Sequence, residues 1–314
     1  MDALLSTLEI ILPIAATLLL GVYARRTGMM SGDAAGGMQR YAIRFGLPCV
    51  MFTACLTGDF GAETVTSVAL VTPVLAVTAL LCFRARRRGG LMAFYNMPAL
   101  LATQESGMLG IPLFLLLFGP GQAYRMAALN MAQGFISIPL IAILSAQDGK
   151  SLSPGKLLWK AVSSPLLLAM VLGLALNLSG GGAWLDASGI GPVLTATADF
   201  IATPVSAVIL FSIGYNFSLS RKGLPAILQV CGLHLAVCAA LFLIVEGGLF
   251  LVPNTAAETR WAVLLFCLLP AGYIAPGLGR DQEEYTLASG VCSLTTVVTM
   301  AGFLAMTVFL GCTV

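Results

Sequence analysis

Glu105 lies in the middle of an otherwise apolar stretch, within Ala102-Thr103-Gln104-Glu105-Ser106-Gly107-Met108-Leu109-Gly110-Ile111-Pro112. Placing a carboxylate in hydrocarbon costs on the order of 3 kcal/mol or more, so such a residue faces a cavity or a partner. Read as the end of a first half-helix, it also stands where the backbone dipole is negative. Burial and dipole together favour the protonated acid. A group of that kind can carry a coupling proton or contact a cationic part of a solute. The structural alternative is a protonated acid bridging two helices.

Its neighbours are helix breakers. Gly107, Gly110 and Pro112 interrupt the first stretch, and Pro270, Gly272 and Pro276 interrupt a second, Leu269-Pro270-Ala271-Gly272-Tyr273-Ile274-Ala275-Pro276-Gly277. A proline inside a helix removes one donor and clashes with the preceding turn. Away from water, the freed backbone groups must be met by protein or ligand. The two broken segments are therefore expected to expose polar backbone, with Ser106 and Tyr273 as adjoining contacts; a simple proline kink is the alternative for either segment. Asn130 and Gln133, three residues apart on one helical face, can line the same cavity.

Other polar residues are weaker candidates. Ser289, Ser293, Thr296 and Thr299 recur at helical spacing, but hydroxyls in membrane helices bond mostly to their own or a neighbouring helix. His234, the single histidine, is read as a helix–helix hydrogen bond rather than a proton relay. Glu9 and Glu246 are placed towards outer helix ends, in reach of water, and Arg84, Arg86, Arg87 and Arg88 are read as anchors at lipid headgroups.

The elements that must position these residues are membrane helices. Of 314 residues, 58% are hydrophobic and 10% are charged, and mean hydropathy is +0.95. Soluble domains carry about 25% charged residues, so lipid is the expected solvent. Each crossing needs about 20 apolar residues, and ten are read: 4–24, 38–57, 65–83, 91–118, 126–146, 157–178, 196–217, 225–252, 261–279 and 285–312. Turn formers such as Gly36-Gly37, Gly119-Pro120-Gly121 and Ser179-Gly180-Gly181-Gly182 fall between them. The start Met1-Asp2, with Glu9 ahead of any base, does not read as a signal peptide. The eight cysteines form no CxxC pair and are read as buried free thiols.

Charge placement supports this count. Fourteen of the 16 Lys and Arg fall in alternate connectors. Cytoplasmic loops hold such an excess, so connectors 1, 3, 5, 7 and 9 are assigned to the inside and both termini to the outside of the inner cell membrane. An internal repeat follows: Leu20-Gly21 resembles Leu172-Gly173, Leu47-Pro48 matches Thr203-Pro204, and Ile111-Pro112 matches Leu269-Pro270. The halves 1–150 and 151–314 each hold five spans, an odd number, so the second is inverted. Inverted repeats with matched broken helices are the architecture of secondary transporters.

Enzymatic readings find no support: HExxH, GxSxG and Walker motifs are absent, and no second histidine is available for a triad. No connector has room for a nucleotide-binding domain. Neither a cofactor nor a metal nor a nucleic-acid partner is expected.

The opening Leu18-Leu19-Leu20-Gly21-Val22-Tyr23-Ala24-Arg25-Arg26-Thr27-Gly28-Met29-Met30-Ser31, with Gly46-Leu47-Pro48-Cys49-Val50-Met51-Phe52, resembles the auxin efflux carrier family. Gly107-Met108-Leu109-Gly110-Ile111-Pro112-Leu113, and Leu269-Pro270 followed by Tyr285-Thr286-Leu287-Ala288-Ser289, resemble its span 4 and span 9–10 motifs. The compact length is similar to bacterial members, often labelled malonate or malate transporters, rather than to the plant PIN carriers. The resemblance implies an all-α fold of ten spans with crossing broken helices 4 and 9. It further implies a scaffold from spans 1, 2, 6 and 7, a mobile unit from the rest, a homodimer through the scaffold, and small organic anions as substrates. Two departures stand out. Glu105 occupies a position usually held by asparagine, and no asparagine follows Pro270. An anion moved with a proton, an amphoteric solute and a cation all remain open.

The expected function is thus secondary active transport of a small organic solute, an organic anion being the first expectation, by alternating access with proton coupling, symport included. Glu105, Ser106, Gly107, Gly110, Pro112, Asn130, Gln133, Pro270, Gly272, Tyr273 and Pro276 form the expected substrate site, with Glu105 as the ion-coupling residue. A passive channel or a membrane-embedded receptor is the alternative.

Overall fold

The computed structural model describes residues 2–146, 163–217 and 223–313. The expected boundary at 150/151 lies outside these residues, as do Lys150, Lys156, Lys160, Arg221 and Lys222, on which the charge pattern of connectors 5 and 7 depends. Among the described residues the chain is all-helical, and its helix lengths and apolarity are those of a membrane protein. Five helices are long and apolar enough to cross unaided: Ala62–Arg88, Pro120–Ser145, Ile190–Asn216, Leu224–Leu249 and Gln282–Leu310.

The remaining expected crossings are segmented or differently bounded. Span 1 is α1 (Asp2–Thr27), ending on Arg25 and Arg26. Span 2 is α2 (Gly32–Tyr41) and α3 (Leu47–Thr57), joined by the wide turn Ala42–Gly46. Pro48 causes that turn: its ring would strike the carbonyl four residues back, and one extra residue per turn moves that carbonyl aside. Span 3 is α4 (Ala62–Ala85). Span 4 is α5 (Met97–Ala102), a break, a second wide turn Ser106–Gly110, and α6 (Ile111–Phe118). Span 5 is α7 (Ala123–Ala146), and the described part of span 6 is α8 (Pro165–Leu178). The glycine run read as a connector instead opens α9 (Gly181–Ala187).

Span 7 is one helical stretch with a turn at Thr203-Pro204 between α10 (Ile190–Ala202) and α11 (Val205–Asn216). Span 8 is α12 (Leu224–Leu249). Span 9 is α13 (Ala257–Leu268), an extended stretch, and a short 3-10 turn Ala275–Leu278. Span 10 is α14 (Gln282–Thr313).

Two glycine contacts hold one group of helices together. α1 packs along α11, and α3 along α8. A Cβ on Gly21 would stand 2.1 Å from the Phe211 carbonyl oxygen, and one on Gly173 would stand 2.5 Å from that of Phe52. Backbone thus meets backbone in both pairs, which only glycine allows.

Polar clusters tie the helix ends. At one face Arg25 donates to the Tyr215 and Phe217 carbonyls (3.3 and 3.1 Å), and Tyr215 Oη donates to Met30 O (2.9 Å). Near the same ends Glu284 accepts the Tyr95 N–H (2.7 Å), while Arg86 bonds the Tyr95 carbonyl and stacks on its ring, as does Arg280. Arg86 is therefore held by protein rather than by headgroups; Arg84, Arg87 and Arg88 are exposed. At the other ends Glu63 pairs with Arg125 and accepts from Thr259 Oγ1 (2.9 Å) and Ala256 N–H (2.7 Å). Asn177 joins connectors 6 and 2 through Leu56 O and Gly58 O (2.7 and 2.9 Å). Glu246, expected to reach water, pairs with Arg260. The Glu9 side chain lies outside what is described.

Candidate functional site

The two interrupted segments cross antiparallel. Glu105 N–H donates to Pro270 O (2.9 Å) and Gly272 N–H donates to Thr103 O (3.0 Å), a two-residue ladder centred on Gln104 and Ala271. Gly272 makes the approach possible, since a Cβ there would lie 2.4 Å from Thr103 Oγ1. Gly110 serves likewise, 2.6 Å in Cβ terms from Leu269 Cδ1.

Nearly every backbone group freed at the crossing is met by protein. The Gln133 side chain accepts from Gln104 N–H (2.9 Å) and donates to Gln104 O (2.7 Å), acting as one more strand edge. His234 Nδ1 bonds Leu100 O (2.8 Å), and Nε2 lies 3.3 Å from Leu269 O. With Nδ1–H donating, the single histidine closes the carbonyl end of the first half-helix of span 4 as a helix–helix bond, and its Nε2 also lies 3.6 Å from Cys238 Sγ. Thr299 Oγ1 donates to Leu268 O (2.6 Å), and Thr295 Oγ1 accepts from Ala271 N–H (3.3 Å). The expectation that open backbone awaits a solute is thus corrected: side chains of the same fold satisfy it, as a water-poor interior demands.

Glu105 also departs from its expected place. The first half-helix ends at Ala102, and Glu105 is the N-cap of the second, Oε1 accepting from Met108 N–H (3.4 Å). Its Oε2 accepts from Tyr273 N–H in span 9 (2.8 Å). The dipole it meets is therefore the positive end of a helix, opposite in sign to that expected. Pro112 is corrected too: it is the second residue of α6, well past the break, and buried. Because the ladder pairs Gln104 with Ala271, Pro112 and Pro270 do not occupy equivalent places in their spans.

The other candidates gather around the crossing. Ser106 Oγ donates to Asn130 Oδ1 (2.8 Å), and Gly107 faces that same amide oxygen at 3.5 Å in Cβ terms. A cavity of about 420 Å³ is lined by Glu105, Gly107, Asn130, Gln133, Gly272 and Tyr273, with Gln39, Ser137 and Gln104 among other neighbours. A second, of about 380 Å³, lies between spans 7, 9 and 10 and is lined by Asn216, Pro276, Tyr285, Ser289, Ser293 and Thr296, among others. Tyr273 and Gln39 line both. The Tyr273 hydroxyl bonds Thr296 Oγ1 (2.9 Å) on one side while its N–H bonds Glu105 on the other. Sequence reasoning missed Gln39, Gln104, Asn216 and Thr295. Only the polarity of Gln39, Gln104 and Asn216 within apolar stretches hinted at them.

No protein-family model matches the chain. A protein of Methanothermobacter thermautotrophicus described as an uncharacterized transporter is 23% identical to it over 301 residues, covering 93% of this chain and 94% of that relative.

Proposed function

We propose that this protein is a secondary carrier moving a small organic solute across the membrane by alternating access. The observation that carries this reading is the antiparallel crossing of two interrupted helices beside polar cavities inside an apolar helical fold. Discontinuous helices of this kind are how carriers place polar groups at mid-membrane. The similarity to a protein described as a transporter, over nearly the whole of both chains, agrees with it.

Ten spans in two inverted halves form part of the proposal. Contacts that join connector 1 to 7, 3 to 9, 2 to 4 and 8, and 2 to 6 support alternate connectors sharing a face. The pairs α1–α11 and α3–α8, each sealed by a glycine, support spans 1, 2, 6 and 7 as a scaffold with its halves interchanged. Phe217 and Tyr285, which line the second cavity, stand at the odd-connector ends of spans 7 and 10, so that cavity reaches towards the face proposed as cytoplasmic. Both termini are then outside, and a homodimer through the scaffold belongs to the same reading. Glu105 is the proposed ion-coupling residue.

Reconstituted vesicles test the proposal. A carrier shows saturable uptake accelerated by solute on the opposite side. Conductance without such counterflow would indicate a channel, and binding without flux a receptor. Replacing Glu105 by Gln is expected to remove the dependence of uptake on a pH gradient.

A further inference from the structure

The charge and hydrogen-bonding state of the crossing narrows the solute class, and this step rests on the carrier reading above. Among the described residues no Lys, Arg or His lines either cavity, and Glu105 is the one carboxylic acid in their lining. A solute anion needs donors. The start of the helix Ser106–Phe118 is a natural anion position, and Glu105 already fills it with its own carboxylate. That carboxylate takes the N–H groups of both Met108 and Tyr273.

What remains unmet is acceptor capacity. Each carboxylate oxygen has two lone-pair directions, one of which is used, and Glu105 is partly exposed. A carboxylate with lone pairs free towards a cavity is matched by charged N–H donors. We propose that the site recognises a protonated amine, with Glu105 as its counter-charge. The amides and hydroxyls of Gln39, Asn130 and Ser137 serve the solute's remaining polar groups. An organic anion, the class implied by the resemblance, meets a like charge, and the backbone N–H groups at the helix start are already taken. A proton and an amine occupy one carboxylate in turn, so coupling takes the form of exchange rather than symport.

Thermal unfolding of the purified protein in detergent tests this, with 1,4-diaminobutane and propylamine against malonate and acetate as probes. The amines are expected to raise the wild-type midpoint and the carboxylates to leave it unchanged. Glu105→Gln is expected to weaken the apparent amine affinity about tenfold or more. Glu105→Ala, which frees the two N–H groups, is expected to acquire stabilisation by acetate. Stabilisation of wild type by malonate, amine affinity unchanged in Glu105→Gln, or binding of neither class would overturn the amine proposal. Amine binding without amine flux in vesicles would uphold it while sinking the carrier reading, and carboxylate counterflow by wild type would do the reverse.

Discussion

The side-chain amide of Gln133 bonds both the N–H and the carbonyl of Gln104, at 2.9 and 2.7 Å. One side chain thus replaces both hydrogen bonds that the helix break removes from that residue. Replacing Gln133 by Ala strands a buried donor and acceptor, at roughly 1–3 kcal/mol. Chemical denaturation in detergent should show that loss, with reduced uptake, while Gln133→Glu keeps the acceptor half and falls between.

The glycines at the crossing predict an order of severity. Gly272→Ala drives a methyl against Thr103 Oγ1, which is itself held to Ala99 O (2.7 Å). Gly110→Ala meets the flexible ends of two side chains, Leu269 Cδ1 at 2.6 Å and Met126 Sδ at 3.4 Å, which can rotate. Overpacking costs about 1–3 kcal/mol, so Gly272→Ala should approach the upper end and Gly110→Ala the lower. Thr103→Ala should recover part of the Gly272→Ala loss, as read by thermal midpoint in the double variant.

Two ion pairs at the even-connector ends should differ in worth. The Arg125 and Glu63 side chains are 9% and 16% exposed, against 41% and 25% for Arg260 and Glu246. Removing one partner of a buried pair costs about 3–5 kcal/mol, whereas exposed pairs contribute about 1 kcal/mol or less. Arg125→Ala should therefore destabilise far more than Arg260→Ala. A double-mutant cycle with Glu63→Gln should give a coupling energy that is clear of zero.

Sidedness is checkable at two exposed positions. Cysteine at Arg87, in connector 3, should react with a membrane-impermeant maleimide only from the cytoplasmic side. Cysteine at Asn254, in connector 8, should react only from the outside. Both are exposed, and labelling of the pair from one side would remove the ten-span topology.

The breaks in spans 4 and 9 were legible because Gly and Pro act locally: the missing donor and missing Cβ do not depend on what lies nearby. The same logic located Glu105, whose burial cost is visible against an apolar stretch. Local rules did not reveal which half-helix Glu105 terminates. Pro112 drew the break towards itself, whereas the wide turn Ser106–Gly110 let the helix absorb that proline and left the break at Thr103–Glu105. Gln133 lines the cavity as its spacing from Asn130 suggests, but no local rule shows that it also bonds Gln104 from 29 residues away.

Sequence alone therefore determined the solvent, the helical class, the breakers and the one acid at the centre, since each follows from composition or from a residue's own covalent geometry. Tertiary structure alone decided that the breaks pair with each other, that His234, Thr295 and Thr299 close their loose backbone, and that Glu105 meets helix donors rather than carbonyls. The physical reason is hydrogen-bond demand in a water-poor interior. It requires that every freed group be met, while the partner can come from any segment that the packing brings within about 3 Å.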